Sequence, residues 1–356
     1  MKKNWLNKKI KDISSTGGYQ KPELIPDSLK LDSNENYVIS KQFHQDLIAN
    51  AKKNSDIREY PLGGTERLII QLSKFLKVDS LMIGVGNGSD QILDLILSNF
   101  ASKQTIVLTS NPTFGFFEER CKLYSIPVIA IPFSNNMTLD VKEFLKNSKN
   151  ADILYLDSPN NPTGFQFPKN ELQKLIKSFQ GLIIIDEAYG EFADFSLSSM
   201  VKSQENLIVV QTLSKSFGLA GLRIGYFIAN KNFTQAFNQV LQYPYPLSTI
   251  TIESSILALQ QSTQMKEAVQ IIKVERKRII ENLKKYDAFE VFDSKANFVL
   301  FDAKGIHKRV FDALAEQGIS IRKLGKIGKH EGCLRVTIGT REMNSKFLLA
   351  IRDLLG

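Results

Sequence analysis

Between residues 80 and 230 the chain alternates short, largely β-branched apolar runs with segments whose apolar positions recur every three or four residues. The runs at 81–85, 105–109, 127–131, 153–156, 182–185, 207–211 and 223–229 read as strands. Segments such as 89–100, 115–124 and 169–179 carry the helical period between them. Several strands are apolar at every position rather than at alternate ones, the mark of a strand covered on both faces. Strands of that kind alternating with helices predict an α/β fold, a mostly parallel seven-stranded sheet sandwiched by helices. From about residue 265 the pattern changes. A charged helical stretch to 285 precedes short strands at 289–292 and 297–301, a further helix, and strands at 319–322 and 334–338, which together predict a small α+β unit.

At 356 residues the chain exceeds what one core usually serves, so a large and a small domain are expected. The net charge of +9, from 46 basic and 37 acidic residues, is scattered rather than gathered in a stripe. No basic patch with interleaved aromatics suggests nucleic acid, so the surplus points to small anionic molecules or to solubility. Two cysteines, Cys121 and Cys333, are too few and too unpatterned for a disulfide framework or a metal site, and no metal is expected. The basic start Met1-Lys2-Lys3 is followed by no apolar signal core, and no stretch reaches membrane-spanning length. A cytoplasmic protein with neither membrane nor nucleic-acid partner is the expectation.

The run Thr212-Leu213-Ser214-Lys215-Ser216-Phe217-Gly218 continues to Arg223 through Gly221. A lysine amine condenses with an aldehyde to a Schiff base, and pyridoxal phosphate is the cofactor that works this way. Hydroxyls beside the lysine and a guanidinium eight positions on suit its phosphate. Alone, Lys215 is equally one basic residue among many in a glycine-punctuated loop.

Two upstream segments supply further parts. In Gly181-Leu182-Ile183-Ile184-Ile185-Asp186-Glu187-Ala188-Tyr189 a carboxylate falls at the C-terminal end of a buried strand, where open α/β sheets bind ligands. Set against a pyridine nitrogen, Asp186 would keep that nitrogen protonated. Tyr189 would reach the ring's phenolic oxygen. The competing reading makes Asp186 a helix N-cap. In Asp157-Ser158-Pro159-Asn160-Asn161-Pro162-Thr163-Gly164 the prolines stiffen a turn and fix the Asn161 amide. Gly86-Asn87-Gly88-Ser89-Asp90 opens a helix, whose free Ser89 and Asp90 amides suit a phosphate as well as they suit an ordinary cap.

In this order and at these intervals the segments resemble the fold-type I pyridoxal-phosphate enzymes, the class I/II aminotransferases, and among them the histidinol-phosphate aminotransferase group. Ser33-Asn34-Glu35-Asn36, Glu59-Tyr60-Pro61, Asn111-Pro112-Thr113-Phe114, Pro244 to Thr249 and Leu334 to Thr340 extend the likeness over nearly the whole chain. It implies catalytic roles for Lys215, Asp186 and Tyr189. It implies cofactor contacts from Tyr60, Gly88, Ser89, Asp90, Phe114, Asn161, Thr212, Ser214 and Arg223, with Phe114 stacked on the pyridine ring and Tyr60 crossing from the neighbouring subunit of a homodimer. Substrate contacts fall to Tyr19, Asn34, Arg322 and Arg335, Arg335 taking the α-carboxylate of the donor. The resemblance also assigns residues 1–44 to the small domain, leaving 45–264 as the large cofactor domain and 265–356 as the C-terminal small domain.

The implied reaction moves an amino group between glutamate and a phosphorylated ketone, most directly imidazole-acetol phosphate, in amino-acid biosynthesis. The chain departs from the group's pattern at Tyr37, Gln91, Phe114 and Leu62-Gly63-Gly64. Another phosphorylated ketone such as dihydroxyacetone phosphate is therefore an alternative acceptor, and decarboxylation of phosphoserine or phosphothreonine an alternative reaction. A regulator's aminotransferase-like domain would need an attached DNA-binding module, for which the pattern leaves no room.

Overall fold

The computed structural model describes residues 2–18 and 26–356. After a first short strand, β1 (Leu29–Leu31), the apolar runs of the middle of the chain form β2 (Ile83–Asn87), β3 (Val107–Asn111), β4 (Val128–Pro132), β5 (Ile153–Asp157), β6 (Leu182–Asp186), β7 (Leu207–Thr212) and β8 (Ile224–Ile228). These seven make one sheet in the order β2-β8-β7-β6-β5-β3-β4. All neighbours are parallel except the two pairs made by β8, which runs against β2 and β7. The expected mostly parallel sheet is thus present, with each strand within about two residues of its predicted place.

Alternate residues of the central strands enter different cores. Leu154, Leu156, Ile183, Ile185 and Val209 pack into one apolar cluster, while Ile153, Tyr155, Ile184, Ile208 and Val210 pack into another. Both faces are covered by helices, which is why the sequence there shows no polar alternation. β4 lies at the edge, and its residues are correspondingly more exposed.

A second sheet combines β1 with β9 (Glu290–Val291), β10 (Phe298–Asp302), β11 (Ile319–Ile327) and β12 (His330–Thr337), in the order β1-β11-β12-β10-β9. β1 lies parallel to β11, with Leu29 opposite Ile319. The helices Thr263–Leu283, His307–Glu316 and Arg341–Leu355 contribute Ile272, Val310 and Phe347 to the core beside Phe298.

The β11–β12 hairpin is longer than its sequence suggests. Lys323, Gly325 and Lys326 read as loop residues, yet they continue the strand through register shifts, and Gly325 adopts a φ of 74°. Cross-strand pairing with β12 overrides the weak single-strand preference. The helices Lys2–Ser15, Lys41–Lys53, Gly64–Leu76 and Thr249–Gln260 had no counterpart in the pattern reading. In the last of these Glu253, Ser254 and Ser255 are buried as fully as Ile252, so no apolar stripe marks it. Among the described residues no helix is long and apolar enough to cross a membrane, and the two cysteines are free and buried.

Candidate active site

The C-terminal ends of β2, β3, β5, β6 and β7 lie along one edge of the large sheet. Because β8 runs the other way, it begins at that same edge and brings Arg223 there. The loop from β7 to β8 carries Lys215. Between this edge and the β11–β12 hairpin lies a cavity of about 280 Å³. Its walls include Lys215, Asp186, Tyr189, Asn161, Phe114, Ser89, Asp90, Thr212, Ser214, Arg223, Asn34, Arg322 and Arg335. Residues spaced over three hundred positions of sequence are thereby brought to one chamber.

Lys215 is half-buried, and its Nζ donates to the Ser33 carbonyl at 3.0 Å. Burial, reinforced by the Arg335 cation, lowers its pKa to about 8. An amine so placed has a substantial neutral fraction near physiological pH, as a nucleophile or a base requires.

Asp186 is 3% exposed. Its Oδ1 accepts from the Ala188 amide at 2.9 Å and its Oδ2 from the Tyr155 hydroxyl at 3.1 Å. Burial raises its pKa to about 6, and these two donors hold it from rising further. A cation opposite Asp186 would favour its ionised form. The N-cap reading fails, because only the short turn Gly190–Phe192 follows, capped at Tyr189 without a side-chain bond.

At the other end of the cavity the helix Gly88–Phe100 begins with no side-chain cap. Its first amides have no partner within the helix, and Ser89 and Asp90 line the chamber at the positive end of the helix dipole. Two glycines make this approach possible. A Cβ at Gly225 would lie 2.2 Å from the Ser89 nitrogen, and one at Gly88, where φ is 77°, would lie 2.5 Å from Arg223 Nη2. The Thr212 and Ser214 hydroxyls stand 3.0 Å apart on the same side. Arg223, itself at a φ of 55°, reaches back to Asp90 Oδ2 at 2.7 Å. Amides, hydroxyls and a guanidinium converging on one spot fit a phosphate group.

Asn161 Oδ1 accepts from Arg335 Nη1, which turns the amide so that Nδ2 is the atom left to donate. Its turn is fixed by Asp157, whose Oδ2 accepts from the Asn161 amide at 2.8 Å. Asp157 Oδ1 accepts from Asn160 Nδ2 at 2.8 Å and from Thr113 Oγ1 at 2.9 Å, so one carboxylate ties together the loops that carry Asn161 and Phe114. The Pro-Asn-Asn-Pro motif announced the turn; nothing in the sequence announced that Asp157 anchors it. Tyr155, which holds Asp186, was also missed, since a tyrosine inside an apolar strand looks like core.

On the opposite wall, Asn34 Nδ2 donates to the Tyr189 hydroxyl at 2.9 Å, and the Asn34 amide donates to Thr337 Oγ1. Arg335 Nη2 donates to the Asp32 carbonyl at 2.9 Å, and the guanidinium lies 5.0 Å from the Phe298 ring centre. Arg322 and Arg335 are direct partners across β11 and β12. Like charges directly opposite each other in a sheet are unfavourable unless an anion lies between or beside them.

One expected residue stands elsewhere on the described chain. Tyr60 is 72% exposed, stacked 4.5 Å from Tyr245, beside Arg58, Arg67 and Glu253 in a surface hollow outside the cavity. Tyr19 lies outside the described residues.

With this geometry in hand, comparison with known proteins is specific. The model for aminotransferase class I and II matches residues 26–351. A histidinol-phosphate aminotransferase of Thermoanaerobacter pseudethanolicus is 34% identical over 338 residues, 93% of this chain and 94% of that protein. The structure of histidinol-phosphate aminotransferase from Sinorhizobium meliloti in complex with pyridoxal-5'-phosphate superposes with a TM-score of 0.83 at 24% identity, over 91% of this chain and 90% of that one. L-threonine-O-3-phosphate decarboxylase from Porphyromonas gingivalis shares the fold with a TM-score of 0.79 at 24% identity, over 91% of this chain and 98% of that one.

Proposed function

This chain belongs to the class I and II aminotransferases, it is a pyridoxal-phosphate-dependent aminotransferase, and from that premise we propose that it exchanges an amino group between glutamate and histidinol phosphate's ketone, imidazole-acetol phosphate. The observation that carries the substrate reading is the Arg322–Arg335 pair facing the cavity across β11 and β12. Two fixed guanidiniums suit a substrate with two anionic ends. Glutamate has two carboxylates, and amino-alcohol phosphates of this type present a phosphate to one arginine.

The cofactor, when bound, supplies an aldehyde that condenses with amines and a ring that acidifies the substrate's α-carbon. Ser89 and Asp90 amides, the Thr212 and Ser214 hydroxyls and Arg223 would hold its phosphate. Asp186 would keep a proton on its ring nitrogen, Asn161 and Tyr189 would donate to its phenolic oxygen, and Phe114 would cover its ring. Lys215 Nζ, displaced by the incoming amine, would take the proton from the substrate's α-carbon, a role suited to its lowered pKa. Arg335 would orient the substrate carboxylate and so the bond that breaks, and Arg322 would take the second anion. Asn34, bonded to Tyr189, would shape the substrate end.

The proposal includes a homodimer in which Tyr60 reaches the other subunit's phosphate cradle, a cytoplasmic location, and the domain division 1–44 with 265–356 against 45–264. It is tested by half-reactions. Enzyme loaded with cofactor is treated with glutamate, the absorbance change is followed, and imidazole-acetol phosphate is offered to reverse it. Reversal by that ketone at low concentration supports the proposal; reversal only by dihydroxyacetone phosphate, or release of carbon dioxide from phosphothreonine or phosphoserine, replaces it.

A further inference from the structure

A cluster well away from the cavity is built like a metal site. Glu290 on β9 and Asp302 on β10 are direct cross-strand partners, and His330 begins β12, on the other side of β10. One ligating atom from each of the three lies within 4.8 Å of the others. His330 Nε2 stands 2.8 Å from the Asn135 carbonyl, which can only accept, so that nitrogen is the donor. The other ring nitrogen, Nδ1, is thereby aimed between two carboxylates, 3.2 Å from Asp302 Oδ2 and 3.6 Å from Glu290 Oε2.

These separations bear on two accounts. A charge-assisted N–H to carboxylate bond draws its atoms to about 2.7–2.9 Å. Two ligands held about 2.05 Å from a tetrahedral ion stand about 3.3 Å apart. The observed spacings straddle the second value, while the shorter, to Asp302, is also within reach of an ordinary hydrogen bond and the longer, to Glu290, is not. The pairing of Glu290 directly opposite Asp302 points the same way, because like charges so placed repel. The basic side chains nearby are turned elsewhere: Lys284 to Asp293 and Lys304 to the Asp287 carbonyl.

The surroundings hold the three ligands in place. Asp302 Oδ1 accepts from the Lys304 and Gly332 amides at 2.8 and 3.0 Å, leaving Oδ2 to face the imidazole. A carbonyl accepting from the remote nitrogen of a histidine, and donors fixing a carboxylate, are the usual outer partners of a metal ligand. Asp302 and His330 are buried, whereas the Glu290 side chain is 40% exposed at the edge of a surface cleft, which provides an entry path.

We propose that Glu290, Asp302 and His330 bind one divalent ion of the zinc type, with water completing the coordination. The nitrogen and two carboxylate oxygens suit such a borderline ion. Bound there, the ion staples β9, β10 and β12 together and, through His330 and Asn135, ties them to the loop after β4. No sequence spacing marks this site, since its ligands come from three strands.

The test uses the cofactor-loaded full chain. After equilibration with micromolar zinc chloride and removal of excess, bound zinc is measured by elemental analysis. The wild type is expected to retain about one ion per chain. Glu290→Gln, whose partly exposed position makes misfolding improbable, and Asp302→Asn should weaken retention about tenfold or more, while Glu331→Gln, at an exposed neighbouring carboxylate, should not. Zinc should also raise the thermal midpoint of the wild type but not that of Glu290→Gln. The proposal is overturned if the wild type holds no more zinc than Glu290→Gln, for then the cluster is only a histidine hydrogen-bonded to its carboxylate neighbour.

Discussion

Asp157 and Asp186 are register partners at the ends of adjacent parallel strands, and both line the same cavity while accepting from different donors. Asp157 takes Thr113, Asn160 and the Asn161 amide; Asp186 takes Tyr155 and the Ala188 amide. The first is committed to holding loops, and the second, in the role proposed for it, would face the cofactor ring. Asp186→Asn, which keeps the shape and removes the charge, should lower kcat by about 10²–10³ while much of the cofactor stays bound. Asp157→Asn should cost less in kcat. Steady-state rates beside cofactor content settle the order, and equal losses would contradict the division of roles.

In the role proposed for it Lys215 would react as the free amine, and burial first and Arg335 second lower its pKa to about 8. The rate at which cofactor-free protein captures pyridoxal phosphate should therefore rise with pH through about 8 and level off above. Arg335→Met removes a cation that favours the neutral amine, so the midpoint should move to higher pH. Stopped-flow absorbance at a series of pH values reads it directly. An unmoved midpoint would mean the two charges do not communicate.

Four buried carboxyls around the large sheet's active edge share one sign of shift. Burial raises Asp157 and Glu191 to about 7 and Asp186 and Glu187 to about 6. Each folded-state pKa lies above its unfolded value, so between the two the native protein holds more protons than the unfolded chain. Stability is then lost as pH rises through that window. The thermal midpoint of the cofactor-free protein should fall from pH 5 to pH 8, with a shallower fall in Asp157→Asn. A midpoint that climbs over the same range would be incompatible with these shifts.

Gly88 has a φ of 77° and a Cβ position 2.5 Å from Arg223. Gly88→Ala should displace that guanidinium and strain the helix start, weakening cofactor binding about tenfold or more, the equivalent of one charge-assisted hydrogen bond. Equilibrium dialysis gives the affinity. Circular dichroism shows whether the fold survives, as it should with the rest of the helix unchanged.

Tyr60 is mostly exposed on one chain and rests on Tyr245. Loss of its hydroxyl should hardly change the stability of that chain, within about 0.5 kcal/mol. If it reaches a partner subunit's phosphate cradle, Tyr60→Phe will instead loosen the cofactor. Sedimentation of the native protein as a monomer under assay conditions would remove the premise.

The strands of the large sheet were legible because burial on both faces writes an uninterrupted apolar run into the sequence. The ends of those strands were legible because turns demand glycine, proline and asparagine. Lys215, Asp186 and Asn161 were therefore identifiable as parts on strand-end loops, each with an ordinary alternative reading. Which parts meet is a different matter. Tyr155 binding Asp186, Asp157 joining two loops, Arg322 facing Arg335, and Glu290, Asp302 and His330 converging are all contacts between separate strands and loops. Local propensity carries no information about them, because strand order and register are fixed only when whole faces are buried together. The chain by itself determined the strands of the sheet, their ends and the kinds of side chain that stand there. Tertiary packing alone decided their partners, their pKa shifts and the one chamber they share.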